Sequence, residues 1–269
     1  MQLKSVDDIT TSHRHIFLSP HFDDVVYSCG GTLGVQVSVG LRPLVITVFG
    51  GIPQNTALSS YALDVHRKMG FSQNAEIAVQ TRRKEDTQAM ELLGVDFLWL
   101  DYSEALYRGT PAYYTQDASL MGGEVHPDDH WIDEKLAQTL VALRQRLPDA
   151  VWYAPLAAGR HVDHQIVCSA ADRLVELEAK VNLYEDFPYV AREAGSLDER
   201  LDEFGNTLEP ALVEMSEALH LRQTASAKYS SQIAANFGDQ VSLFKSIESY
   251  TYSIRPVETV HLERYWNAS

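Results

Sequence analysis

Cysteine is nearly absent: 269 residues hold two, Cys29 and Cys168, with no Cys-x-x-Cys spacing. That number excludes a disulfide framework, and both thiols read as small buried hydrophobes rather than redox groups or metal ligands. Positive charge is also scarce, 22 Lys and Arg against 37 Asp and Glu, for a formal net charge of −15. Nucleic acid and anionic membranes need a basic surface, so neither is expected as a partner. An anionic substrate would require local cations such as Arg82 or Arg160 to override the global field. No apolar run approaches the roughly 18 residues that span a bilayer. The opening Met1-Gln2-Leu3-Lys4-Ser5-Val6-Asp7-Asp8 has two acids and no apolar segment, unlike a secretory signal, and a cytoplasmic location is expected. Internal repeats, low-complexity tracts and linkers are missing too. What is present is ordinary for a globular domain, 45% hydrophobic and 22% charged residues, in a length that one large α/β domain accommodates.

Apolar, β-branched segments alternate with helix-length amphipathic ones. Strands are expected at 15–18, 41–49, 95–100, 151–154 and 181–184, and helices at 25–39, 59–69, 79–93, 131–146 and 165–177. This alternation predicts an α/β fold, a Rossmann-like three-layer sandwich with a mostly parallel sheet and right-handed crossovers. Residues 102–129 form the longest stretch without periodicity, punctuated by Tyr102, Tyr107, Tyr113 and Tyr114. Loops of that length tend to be functional, so a lid or substrate wall stands beside a plain surface excursion. Residues 193–221 are acidic and broken by Gly195, Gly205 and Pro210, while 214–237 supports one long helix or two. The last third is expected to cap or extend the sheet.

The chemistry concentrates at two strand ends. The strand at 15–18 runs into Ser19-Pro20-His21-Phe22-Asp23-Asp24, with Gly30-Gly31 shortly after. One imidazole and two adjacent carboxylates offer two metal ligands three residues apart and leave a carboxylate to act as a base. Zinc in hydrolases takes three protein ligands and a water, so a third ligand must come from elsewhere. The strand at 151–154 leads into a second such loop, ending His161-Val162-Asp163-His164 before a helix. Open α/β sheets gather ligands at the carboxyl ends of strands, so the two loops are expected to converge. Gly30-Gly31-Thr32-Leu33-Gly34 lacks the spacing of a dinucleotide fingerprint, but it keeps open a non-catalytic nucleotide- or sugar-binding α/β module.

The His21-Phe22-Asp23-Asp24 motif with its Gly pair, the Arg82-x-x-Glu85 helix leading to Leu93-Gly94-Val95, and His161-x-Asp163-His164 together resemble the PIG-L/LmbE family of zinc-dependent N-deacetylases. The resemblance covers roughly residues 14–190 of a single domain over 1–269, with 191–269 as a C-terminal extension. The family's first motif is His-Pro-Asp-Asp-Glu; Phe22 replaces the proline and Val25 the glutamate, and neither change removes a ligand or the base. The resemblance implies Zn²⁺, with Fe²⁺ as an alternative, held by His21, Asp24 and His164. It implies Asp23 as general base acting on a metal-activated water, and His161 facing the oxyanion, held charged by Asp163. Tyr189 is expected to line the substrate pocket. Arg82 is read either as a substrate-binding or supporting residue, or as an i, i+3 ion-pair partner of Glu85. The implied reaction removes an N-acyl group, above all acetyl, from a small molecule containing an amino sugar; a thiol-conjugate amidase would use the same site. Related proteins often form trimers or hexamers, so a homo-oligomer agrees with the resemblance. His13, His15 and His66 fit no ligand pattern.

A literal His126-Pro127-Asp128-Asp129 also occurs. No apolar strand precedes it and no Gly pair follows; an amphipathic helix starts at Trp131 instead. It is therefore read as a decoy, with Asp128 or Asp129 placed at the N-terminus of that helix.

Overall fold

The computed structural model describes residues 1–54, 57–255, 257 and 259–268. Seven strands, β1 (His15–Ser19), β2 (Leu44–Thr47), β3 (Asp96–Trp99), β4 (Val151–Pro155), β5 (Lys180–Tyr184), β6 (Glu209–Glu214) and β7 (Leu262–Asn267), form one sheet in the order β3-β2-β1-β4-β5-β7-β6. The first five are mutually parallel, and β7 and β6 add antiparallel pairings at one edge. The helices are α1 (Asp24–Ser38), α2 (Ser60–Lys68), α3 (Ala75–Leu93), α4 (Asp117–Leu120), α5 (His130–Arg146), α6 (Val162–Glu176), α7 (Tyr189–Arg192), α8 (Ser196–Glu203), α9 (Leu219–Ser226), α10 (Ser230–Phe237) and α11 (Gln240–Ser253).

The three-layer expectation holds because strand side chains alternate between two apolar cores. Ile16 and Leu18 of β1 join Trp152, Leu136 and Ile166 on the face covered by α5 and α6. Phe17 points the other way, with Val26, Cys29, Leu33 and Tyr153 on the face covered by α1. With both faces covered, the parallel strands read as apolar runs. Cys29 and Cys168 are free and buried, as expected of small hydrophobes. Burial pushes the Cys168 thiol up to about 12 and the Cys29 thiol well above its usual range, which leaves both unreactive.

Some boundaries differ from expectation, for local reasons. α3 begins at Ala75, four residues before the predicted 79, because the Asn74 side chain accepts the Ile77 N–H and caps the added turn. Of the one helix or two expected over 214–237, two form, α9 and α10, after β6 ends at Glu214. The last third does extend the sheet, through β7 and β6.

The glycine run of α1 has a packing role, which corrects its reading as a weak ligand-binding signal. Gly30, Gly31 and Gly34 lie inside the helix and are buried. A Cβ on Gly30 would lie 2.9 Å from Arg222 Cγ, and one on Gly31 would lie 2.5 Å from Met215 Cε. Arg222 of α9 donates to Glu263 of β7 at 2.9 Å and also to the Tyr27 carbonyl. Glu263 accepts the Gly31 and Thr32 amides at 2.8 and 2.7 Å. A buried ion pair from the last third is thereby seated on the middle of α1, where only glycine admits it.

β1 is flanked by β2 on one side and by β4 on the other. The chain moves from β1 toward β2 and β3, then returns to β4 and β5. Loops after β1 and β4 therefore diverge, and a crevice opens at the carboxyl ends of these strands.

Candidate metal centre and active site

Both predicted motifs meet in this crevice. The loop after β1 is pinned by Ser19, whose Oγ donates to the His21 carbonyl at 2.5 Å and accepts the Val25 amide at 3.1 Å. Asp24 opens α1 and accepts the His21 amide at 2.7 Å. His164, on the first turn of α6, brings Nε2 to 3.3 Å from Asp24 Oδ2, and His21 Nδ1 lies 3.1 Å from the same oxygen. One donor atom from each of the three residues lies within 4.8 Å of the others, and all three residues are buried.

Three observations test whether these residues suit a metal. His164 Nε2 is buried without a hydrogen-bond partner, a costly arrangement unless a ligand completes it. The outward nitrogens of both rings face carboxylates, His21 Nε2 to Asp163 at 3.0 Å and His164 Nδ1 to Asp186 at 2.6 Å. Such partners fix the ring orientation and raise the basicity of the inward nitrogen. The site also favours positive charge. Burial opposes protonation of both rings, yet Asp24 and Asp163 hold His21 well above the usual histidine range, and Asp24 and Asp186 hold His164 at about 9. Asp24, despite its burial, is held well below the usual carboxylate range by His164 and His21. The set His21, Asp24 and His164 fits a divalent cation.

Asp23 occupies the N-cap position of α1 but makes no capping bond. Its Oδ1 accepts from Arg82 at 3.1 Å, and its other oxygen has no partner among the described residues. Burial raises the carboxyl to about 6, Arg82 pulls against this, and Asp24 adds to it.

Asp163 departs from expectation. Its carboxylate does not hold His161 charged; it accepts from His21 Nε2, from the Ala105 amide at 2.9 Å and from Arg108. Asp163 thus positions His21, a candidate metal ligand. His161 receives only the Asp163 backbone amide, at its Nδ1, 3.1 Å away. Burial and the nearby His21 push the His161 pKa well below the usual range, so the ring is neutral, with its proton on Nε2. His161 lines the cleft beside Asp23 and Tyr189.

The ion pair of Arg82 with Glu85 is overturned. Arg82 donates to Glu104 and Asp23, while Glu85 accepts from Ser230 Oγ at 2.7 Å and from the Ser231 amide and hydroxyl at 2.8 and 2.6 Å. Glu85 ties α3 to α10, whose Gln232 and Asn236 reach the cleft. Tyr189 lines the cleft with its ring 5.6 Å from His164. Gly159, at φ 78°, leaves room for it; a Cβ there would lie 2.7 Å from Tyr189 Cβ.

The stretch 102–129 supplies a wall through Glu104, Leu106, Tyr107 and Leu120, and His66 of α2 joins Tyr107 at 2.8 Å. Glu104, Arg108 and His66 carried no signal in aperiodic or unassigned sequence. Asp186 did carry one, since it follows the predicted strand 181–184 as His21 follows its own.

A family model described as PIG-L, GlcNAc-PI de-N-acetylase, matches residues 16–175. The chain belongs to the PIG-L family. A relative from Niallia circulans, named 2'-N-acetylparomamine deacetylase, is 30% identical over 237 residues, covering 84% of this chain and 82% of that protein. One of the same name from Streptomyces fradiae is 30% identical over 224 residues, covering 81% and 73%. The crystal structure of a deacetylase in the biosynthesis pathway of teicoplanin superposes with a TM-score of 0.79 at 25% identity, over 94% of this chain and 97% of that one.

Within the PIG-L motif, Phe22 replaces proline and gives Arg82 an aromatic face, with the guanidinium 5.3 Å from the ring centroid. Val25 is buried and leaves the ligand set intact. The second motif, His126-Pro127-Asp128-Asp129, forms a 3₁₀ turn ahead of α5, and no metal-ligating group among the described residues includes it. His126 stacks on Tyr113 at 4.1 Å. Asp129 stands at the N-terminus of α5, as expected, but makes no capping bond and instead accepts from Arg108 and Tyr114, each at 2.8 Å. Arg108 bridges Asp129 and Asp163, so the decoy motif braces the true one. Among the described residues no helix is long and apolar enough to cross a membrane.

Proposed function

We propose that this chain hydrolyses the N-acetyl group of an amino-sugar-containing small molecule, with Asp23 as general base and His161 as oxyanion donor. That it is a hydrolytic N-deacetylase is supported by the PIG-L match and by relatives named as deacetylases of an acetylated amino sugar. The observation that carries the assignment of roles is geometric. A buried His21, Asp24, His164 triad stands beside a carboxylate, Asp23, that neither caps its helix nor joins the triad.

Zn²⁺ is the ion we assign to His21, Asp24 and His164, and when bound it would supply Lewis acidity, polarising an acyl oxygen and acidifying water. Asp23, steadied through Oδ1 by Arg82, uses its unpartnered oxygen to accept a proton from the attacking water and returns it to the departing amine nitrogen. His161 keeps its tautomer because Nδ1 accepts the Asp163 amide, and its Nε2–H serves as a neutral donor to the developing oxyanion. Tyr189 and Leu106 line the cleft beside these groups.

The test is Asp23→Asn, which preserves shape and removes the base. Acetate release from N-acetylglucosamine-type substrates should fall by about 10²–10⁴-fold, while metal analysis still finds about one zinc per chain. Full activity in this variant would show that the base lies elsewhere.

A further inference from the structure

We infer that the cleft selects amino-sugar substrates bearing a second, protonated amine, and that Glu104 is the residue that reads it. This rests on the deacetylase reading for the reaction, though the binding argument stands apart from it. Glu104 is 8% exposed and lines the cleft. One of its oxygens accepts from Arg82. The other has no partner among the described residues and is not sealed from the cavity. A carboxylate oxygen held in that position, on a residue so little exposed, is an acceptor for a ligand.

The rest of the wall offers acceptors as well. His66 Nδ1 lies 2.6 Å from the Ser72 carbonyl and must donate to it, so Nε2 accepts the Tyr107 hydroxyl proton at 2.8 Å. The Tyr107 oxygen is left with lone pairs only. Gln232 spends an amide N–H on Ser231 Oγ at 3.0 Å, and its carbonyl oxygen has no partner among the described residues. Tyr107 and Gln232 thus add acceptors to that of Glu104, which suits a ligand with N–H and O–H donors, while the second Gln232 N–H and the NH₂ of Asn236, whose Oδ1 accepts from Arg192, remain as donors beside them.

Cations to receive a phosphate or carboxylate are missing among the described lining residues. Arg82 is the lone Lys or Arg there, and it sits between Glu104 and Asp23. Arg160, the other cation that an anionic substrate would have required, pairs with Glu203 outside the cleft. The net charge of −15 adds a field of the same sign. An ammonium bound at Glu104 forms a charge-assisted hydrogen bond, whereas a phosphate there meets a carboxylate.

The experiment compares three deacetylated disaccharides that cannot react further: glucosaminyl-glucosamine, glucosaminyl-glucose and a 6-phosphorylated glucosaminyl-glucose. Calorimetry on the zinc-loaded protein at neutral pH should show the diamine binding about tenfold or more tighter than the monoamine, and the phosphorylated form binding weakest. In Glu104→Gln the diamine preference should fall to near one. That ratio cancels any indirect disturbance of Asp23 through Arg82, because both ligands share the reacting sugar. A wild-type ratio near one, or a preference that survives Glu104→Gln, overturns the inference. If that variant does not fold, the wild-type ranking still decides, and Glu104→Asp, which keeps the charge but shortens its reach, should lower the ratio. Acetate release from the N-acetylated counterparts is read separately: its absence would sink the deacetylase assignment and leave the binding ratio standing.

Discussion

Asp186→Asn isolates the carboxylate behind a metal ligand. Asp186 accepts from His164 Nδ1 at 2.6 Å through one oxygen and from the Ala158 amide at 3.0 Å through the other. Asparagine has a single carbonyl oxygen, so its NH₂ must face one of those two donors. The buried donor left unmatched costs about 1–3 kcal/mol of stability. If the oxygen turns to Ala158, His164 loses the partner that fixes its tautomer; if it turns to His164, a neutral amide replaces a carboxylate. Either way zinc affinity should weaken about 10–100-fold, which corresponds to about 1.4–2.7 kcal/mol. Competition for zinc against a chromogenic chelator measures the affinity, and urea unfolding of the metal-free protein measures the stability term separately. A variant that binds zinc within about twofold of wild type, while His164→Ala loses it, would refute the claim that Asp186 tunes the ligand.

Two further outcomes test the frame around the site. Asp86 of α3 accepts from Trp99 Nε1 at 2.6 Å and Tyr229 at 2.8 Å, and burial raises it to about 7, with those two bonds opposing and Asp23 reinforcing the rise. A carboxyl raised on folding contributes stability that is fully present below its unfolded pKa near 4 and is lost as pH climbs through about 7, for a total of roughly 4 kcal/mol. Asp86→Asn should therefore flatten the decline in urea midpoint between pH 5 and pH 8, and an unchanged slope would show that Asp86 does not titrate there. Arg222→Met removes the cationic partner of the buried pair with Glu263 and leaves the carboxylate with neutral donors, the Gly31 and Thr32 amides and the Tyr265 hydroxyl. Breaking such a pair costs about 3–5 kcal/mol, so thermal unfolding should start many degrees lower; a melt matching wild type would mean that the last third is not anchored through Arg222.

The parallel core was legible because its central strands β1 and β4 are buried on both faces, which writes apolar runs into the chain at 16–18 and 151–154. The antiparallel strands β6 and β7 were not. Glu263 sits in β7 as a buried charge, 3% exposed, and reads as a surface residue until Arg222 and the α1 amides are placed around it. Glu85 and Arg82 show the same limit. Their i, i+3 spacing permits a pair, but stronger partners, Ser230 and Ser231 for one and Glu104 and Asp23 for the other, come from distant segments.

The candidate ligand residues were local facts: His21 and Asp24 share one loop, His164 follows a strand end of the same kind, and the spacing within each loop is written in the chain. The missing apolar strand before it and the missing Gly pair after it were enough to set His126-Pro127-Asp128-Asp129 aside. The tertiary structure alone decided which carboxylate serves which imidazole. A carboxylate does not act on its nearest neighbour in sequence but on the donor that folding brings to about 3 Å. Asp163 therefore turned from His161 to His21, and Asp186, never paired with it in sequence, became the partner of His164.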